Sequence, residues 1–356
     1  MLARAREHVS WLVTPLGGNR HDFCDGVRGW ASMCVLMFHL TVNTGLVAPE
    51  TTWKYSVLLD GSFAVAVFFV VSGFSLSCIR GHLQIARAAA GRWPRLALPC
   101  MFHAFIGSLA LHPADPVRLL VTLLYTSLLA FFPPSMGAWN KTPEWLHHVY
   151  GMAMHDGAFG QLWTMSFETS ASYAIFAFSA ITADLHVRRW ACAAVLGLVL
   201  LLSPHYALFM AGVALQSMWA PNCSMNRVAA ACAIATVVGA GFIPLNAWST
   251  AWVVVAIIRV VVVFKSIEAS PNAVAFFSCP PSIFLGRISF SLYISHVYIT
   301  MLIARYVRDS WLASAVALPV CLAVATVTSC VDVAAMGASR LLAANIIDED
   351  EDSSGA

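Results

Sequence analysis

From Val27 to Met336 the chain returns repeatedly to long apolar runs that are almost free of charge. That single property limits the fold more than any motif does. A helix needs about 20 apolar residues to cross the hydrocarbon of a bilayer, and runs of that kind recur near 27–47, 57–79, 96–113, 162–183, 190–203, 205–219, 227–243, 250–266, 283–304 and 312–336. Charged residues make up 11% of the chain and hydrophobic ones 59%. A soluble domain carries roughly 25% charged residues and needs them to cover its surface. Lipid is the solvent that suits this surface, and backbone satisfaction in lipid favours helices. The expected fold is all-α, a polytopic transmembrane helical bundle with about ten spanning helices, in an integral, multi-pass membrane protein.

Charge placement sets the expected orientation. Arg80, Arg87, Arg92 and Arg95 occupy a stretch without an acidic residue, and basic residues concentrate on the cytoplasmic side. That stretch is assigned inside, with Arg188 and Arg189 in a second inner loop and Arg287 at the inner end of a late helix. Both termini then lie inside, and 133–160 lies outside or in a lumen. The run 117–132 reads as interfacial or re-entrant. Three regions follow: a cytoplasmic segment 1–21, a membrane domain 22–340, and a tail 341–356 whose block Asp348 to Asp352 is expected to be disordered.

Polar residues inside the spans carry the functional information, because they are costly there and face a bundle interior or cavity. Arg28 and His39 stand eleven positions apart, a net turn of about 20° and a rise of about 16 Å on one helix face. Asp25, Ser32 and Asn43 fall close to that face. Arg28 also reads as an interfacial anchor, and His39 as a hydrogen-bonded packing residue. Glu168 has Gln161, Thr164 and Ser172 near its face, and a carboxylate in lipid must be paired, solvated or protonated; a structural partner such as an arginine is the alternative to a functional role. Ser289, Tyr293, His296 and Thr300 share a face of the late helix, where a structural histidine and a functional one are equally compatible with the pattern. By helical rise, His39, Glu168 and His296 fall at comparable depths.

Other features carry less. Ser72-Gly73 reads as close helix packing by small residues. His147, His148, His155 and Asp156 match no metal-ligand spacing, so no metal is expected. The ten cysteines are scattered singly and read as small hydrophobes. No internal repeat of the transporter kind is evident.

Taken in order, these segments resemble the acyltransferase-3 family. DFCDGVRGWASMCVLMFHL is similar to its first-helix signature, with Arg28 and His39 as the pair. FFVVSGFSLS is similar to its second-helix motif. RWPRLALP resembles its Arg-x-x-Arg motif, through Arg92 and Arg95. LWTMSFE resembles its Trp-x-Leu-x-x-Glu motif through Trp163 and Glu168, with Met165 in place of leucine. LGRISFSLYISH resembles its late helix through Gly286, Arg287, Ser289, Ser291, Tyr293 and His296. The aromatic pair that usually follows the glutamate is reduced to Tyr173.

The resemblance implies transfer of an acyl group, often acetyl, from a donor such as acyl-CoA to a hydroxyl of a carbohydrate, lipid or small molecule. It implies an essential histidine and arginines that handle the donor. Such a reaction needs a base near neutral pH, which histidine supplies, and a seat for donor phosphates, which guanidinium supplies. His39, Glu168 and His296 are the expected catalytic set. Arg28, Arg92, Arg95 and Tyr293 are the expected binding set, although Arg92 and Arg95 also read as plain inner-face anchors. Acyl-CoA enters as a co-substrate, with no bound cofactor. The partners are acyl-CoA, a hydroxyl acceptor and the bilayer, and no nucleic acid. The rival reading is a multi-pass transporter using intramembrane His, Glu and Arg as a relay; a third is an inactive scaffold.

Overall fold

The computed structural model describes residues 12, 22–48, 59–111, 114–128, 159–183, 188–217, 235, 239–242 and 245–354. Among them there are eleven α-helices, one 3-10 turn and no strand. They are α1 (Asp22–Asn43), α2 (Gly61–Ser77), α3 (His82–Leu111), α4 (Pro116–Leu128), α5 (Trp163–Ile181), α6 (Arg188–Leu202), α7 (Pro204–Ser217), α8 (Thr250–Ala269), α9 (Pro271–Phe277), α10 (Pro280–Tyr306) and α11 (Ser310–Ser354), with the 3-10 turn Gly160–Leu162 leading into α5. By length and composition four helices can cross a membrane: α3, α8, α10 and the Ser310–Asn345 part of α11. α2 is as apolar but shorter, at 17 residues. α4, on the run read as interfacial or re-entrant, has 13 residues, a length of about 20 Å, short of the roughly 30 Å hydrocarbon core. Most of the expected span 227–243 (all but 235 and 239–242), the segment 1–21 (Leu12 apart), the loop 133–160 up to Ala158 and the histidine group around His147 lie outside the described residues.

Two sequence expectations change. Arg87, Arg92 and Arg95 sit on α3 rather than in a loop, because the helix begins at His82 and passes through Pro94 and Pro99 without ending. Neighbouring helices let a membrane helix keep such prolines. α11 continues through Ser354 and so covers the acidic block 348–352, where disorder is expected. No proline and no glycine lies between Gly337 and Gly355 to stop it.

The chain forms two compact units. The first comprises 1–42, 47–78 and 184–290. Here α2 packs on α7 and α8. Small residues make the approach possible. A Cβ on Gly73 would run into the Phe209 carbonyl, and one on Gly212 would lie 2.6 Å from the Phe74 nitrogen. The reading of Ser72-Gly73 as a packing element holds for Gly73. Phe69 stacks on Phe209 with centroids 4.4 Å apart, and Phe23 and Phe74 both meet the ring of Phe264. α1 crosses the start of α10 in the same manner: a Cβ on Gly29 would lie 2.5 Å from the Gly286 nitrogen. Trp30 adds a hydrogen bond from Nε1 to Ser282 Oγ at 3.0 Å. Asp60 caps α2, accepting from the Phe63 N–H at 2.9 Å, while its other oxygen accepts from Arg259 Nη1 at 3.1 Å. That guanidinium also lies 3.8 Å over the Phe63 ring. α6 and α7 are separated by Ser203 alone and form a hairpin; Cys192 near the start of α6 reaches Ser217 at the end of α7.

The second unit comprises 43–46, 79–183 and 291–356. α3 is its centre and packs on α11, α4 and α5. Gly91 lies against α11, where an added Cβ would be 3.0 Å from the Ser339 carbonyl. Asn43 Nδ2 donates to Thr300 Oγ1 at 2.9 Å, and the Thr44 and Ser314 hydroxyls meet at 2.8 Å. Of the polar groups on the α1 face, Asn43 is used in packing, whereas Ser32 bonds within its own helix, donating to the Gly29 carbonyl at 2.7 Å.

Candidate active site

In the second unit the site begins with helix spacing. Glu168 and Ser172 are four apart on α5, so one stands above the other on a single face. Arg92 of α3 meets both: its Nη2 pairs with Glu168 Oε1, and its Nε donates to Ser172 Oγ at 2.8 Å. The Ser172 hydroxyl in turn donates to the Glu168 carbonyl. Both charges are largely withdrawn from solvent, with side-chain exposures of 8% and 13%. Burying two charges is tolerable only when each meets the other with good geometry and further hydrogen bonds satisfy them. The forked guanidinium provides this.

A turn before Glu168, Thr164 shares a hydrogen bond with the Tyr293 hydroxyl at 3.0 Å, and that hydroxyl also donates to the Gln161 carbonyl at 3.3 Å. Gln161 Nε2 donates to the Ile294 carbonyl at 2.6 Å. These contacts fix α10 against the entry of α5. Tyr293 lies within electrostatic reach of Glu168, and its ring centroid is 5.9 Å from that of His296. The second unit therefore holds Arg92, Arg95, Glu168, Tyr293 and His296, five of the seven residues expected from sequence. Arg95 is exposed on α3, one turn from the buried Arg92.

His39 and Arg28 lie on α1 in the first unit, both half-buried. His39 is 3.1 Å from the Val35 carbonyl through Nδ1, and its ring meets Phe38 edge to face at 5.0 Å. His296 has the same arrangement, Nδ1 to the Leu292 carbonyl at 3.0 Å. A carbonyl oxygen only accepts, so Nδ1 carries the hydrogen in each neutral ring and Nε2 holds the basic lone pair. The residue four positions earlier on the helix thus sets the tautomer of each histidine, the condition a general base needs.

Sequence reasoning passed over three ionisable groups. Asp332, buried on α11, accepts from Ser291 Oγ at 2.8 Å. His103, buried on α3, meets the Tyr298 hydroxyl through Nδ1 at 3.2 Å. Arg259 pairs with Asp60 as above. The signal for each was present: a lone ionisable residue inside an apolar run is a candidate site by default.

The comparisons add one finding. A family model described as an acyltransferase domain matches residues 21–335. No curated protein and no solved structure matches the chain.

Proposed function

The chain belongs to the acyltransferase-3 family, whose domain extends over nearly all of it, and on that premise we propose that this membrane acyltransferase moves an acyl group, acetyl in the first instance, from acyl-CoA to a hydroxyl of a carbohydrate, lipid or small molecule. In this reading His39 Nε2 takes the acceptor's proton. The hydroxyl oxygen bonds to the thioester carbonyl carbon, the carbon–sulfur bond breaks, and the proton passes to the departing thiolate to give free thiol. Arg95 and Arg92 serve the donor side, Arg95 as the exposed guanidinium for phosphate and Arg92 through its hold on Glu168. Glu168 holds the acceptor or orients an imidazole, with Tyr293 and His296 assisting. Arg28, on the His39 face of α1, belongs to the donor-binding set of this reading. A multi-pass arrangement of about ten spans, with the α3 arginines on the cytoplasmic side, completes the proposal.

The observation that carries the reading is the Arg92–Glu168 pair: two motifs matched separately in the sequence meet as one buried, hydrogen-bonded unit. The test uses membranes containing the protein, acetyl-CoA and a hydroxyl acceptor pool. Free thiol is expected to appear with the wild type, and His39→Ala is expected to abolish it at normal expression. Unchanged thiol release by His39→Ala rules out its role as base. Absence of thiol release by the wild type with every acyl-CoA tried rules out the donor.

A further inference from the structure

Farther along α3 from its arginines, the second unit holds an uncharged polar cluster. Arg92 and His103 are eleven positions apart, a net turn of about 20° and a rise of about 16 Å, so they share one face at two levels. At the first level Arg92 meets Glu168 and Ser172. At the second, His103 Nδ1 meets the Tyr298 hydroxyl at 3.2 Å. The entry to α5 arrives at the same tyrosine. The Tyr298 and Phe159 ring centroids are 5.8 Å apart, and a Cβ on Gly107, one turn after His103, would lie 2.6 Å from Phe159 Cζ and 3.1 Å from Tyr298 Cγ. Gln161, two residues after Phe159, donates through Nε2 to the Ile294 carbonyl at 2.6 Å. Ile294 is one turn before Tyr298 on the same face of α10. His103 and Gln161 therefore flank one turn of α10 from two different elements.

The two residues are 0% and 4% exposed, and each keeps one buried polar atom without a hydrogen-bond partner among the described residues: His103 Nε2 and Gln161 Oε1. Such atoms are costly in an apolar interior, and their chemistry specifies what would pair them. The donation to Ile294 orients the Gln161 amide, so Oε1 only accepts. The Tyr298 hydroxyl either donates to His103 Nδ1, which puts the ring hydrogen on Nε2, or accepts from it, which leaves a lone pair on Nε2. A hydroxyl both donates and accepts, so it suits Oε1 and either form of the imidazole. A phosphate or carboxylate has no hydrogen to give Oε1, and the Phe159 and Tyr298 rings supply no counter-charge. An uncharged hydroxyl compound fits this turn.

We propose that His103 and Gln161 form an acceptor subsite, in which they hold hydroxyls of the acyl acceptor other than the one acylated, so that the acceptor is a polyhydroxyl compound. This rests on the acyl-transfer reading above. The subsite is displaced along α3 from the arginines assigned to the donor, which keeps the two substrates' polar ends apart. Gln161 joins it to the rest of the site, because its backbone carbonyl receives the Tyr293 hydroxyl. The loss of one neutral hydrogen bond is about fivefold in an equilibrium constant.

The experiment uses membranes containing the full chain, acetyl-CoA labelled in its acetyl group, and three acceptors: methyl α-glucoside, monooleoylglycerol and oleyl alcohol. The first two are polyols, one a carbohydrate and one a lipid; the third offers a single hydroxyl. The wild type is expected to acetylate at least one polyol with a kcat/KM about fivefold or more above that for oleyl alcohol, and the preferred polyol names the source. His103→Phe and Gln161→Leu are each expected to raise the KM for that polyol about fivefold, with much smaller changes in the KM for acetyl-CoA and in turnover of oleyl alcohol. His103→Gln, which keeps a neutral polar tip, is expected to restore part of the loss. Should His103→Phe fail to accumulate, Gln161→Leu decides. Equal losses with all three acceptors overturn the subsite in favour of structural packing. Consumption of acetyl-CoA with oleyl alcohol preferred, or with no polyol acetylated, overturns this inference and leaves the acyl-transfer reading standing. A wild type that consumes no acyl-CoA overturns both.

Discussion

Replacing Glu168 with alanine is expected to destabilise the protein far more than the loss of a surface charge would. Arg92 sits on α3 with its side chain 8% exposed. Without the carboxylate, a guanidinium remains in a setting that solvates it poorly. Breaking a buried pair from one side costs about 3–5 kcal/mol, whereas an exposed pair is worth about 0–1 kcal/mol. The larger figure applies because both partners are withdrawn from solvent and Arg92 is further fixed by Ser172. In the unfolding equilibrium this is a shift of about two to three and a half decades. The measurement is denaturant-induced unfolding of the purified protein in detergent, followed by tryptophan fluorescence. A second variant separates stability from chemistry. Arg92→Met with Glu168→Leu removes both charges, and such exchanges are close to neutral when shape is kept. The pair variant is expected to regain stability and to remain inactive. A loss below about 1 kcal/mol in Glu168→Ala refutes the buried-pair argument. Full turnover by the stable double exchange refutes any catalytic use of these residues.

Two further outcomes follow from the first unit. Gly73→Ala is expected to cost about 1–3 kcal/mol, because the new methyl meets the Phe209 backbone, whereas Gly197→Ala, with open space around its Cβ on α6, is expected to be neutral or to stabilise by up to about 1 kcal/mol; thermal unfolding of the two variants side by side decides it. Asp60→Asn retains an oxygen for the Phe63 N–H but loses the charge opposite Arg259, so Asp60→Ala is expected to be the less stable by about 1 kcal/mol, the worth of an N-cap, as read by the protease concentration that digests each.

What the sequence made legible is local. Hydropathy gives the all-helical class, and the α8 boundary falls close to its expected place because Ser249 before Thr250 is an N-cap that accepts from Trp252. Helical periodicity gives the faces: Glu168 with Ser172, and Tyr293 with His296. Partnership across helices was not legible. Arg92 and Glu168 are 76 positions apart, and no spacing rule connects α3 with α5; only the folded packing names the partner. The start of α3 was hidden by Pro94 and Pro99, which in water would end a helix. Asp332 and His103 were hidden differently. Each stands alone in an apolar run without a motif around it, and its meaning comes from Ser291 and Tyr298 on another helix.

The prolines of α3 give that helix a mechanical character of its own. Pro94 has no N–H to offer the Ala90 carbonyl, and Pro99 has none for that of Arg95. Two rungs of the ladder are thus missing by covalent structure, one across Arg92 and one beginning at Arg95. This stretch can bend without giving up any bond it possesses. The guanidiniums ride on a compliant joint set between stiffer rods, so movement of Arg92 or Arg95 can be taken up in the backbone of α3 itself.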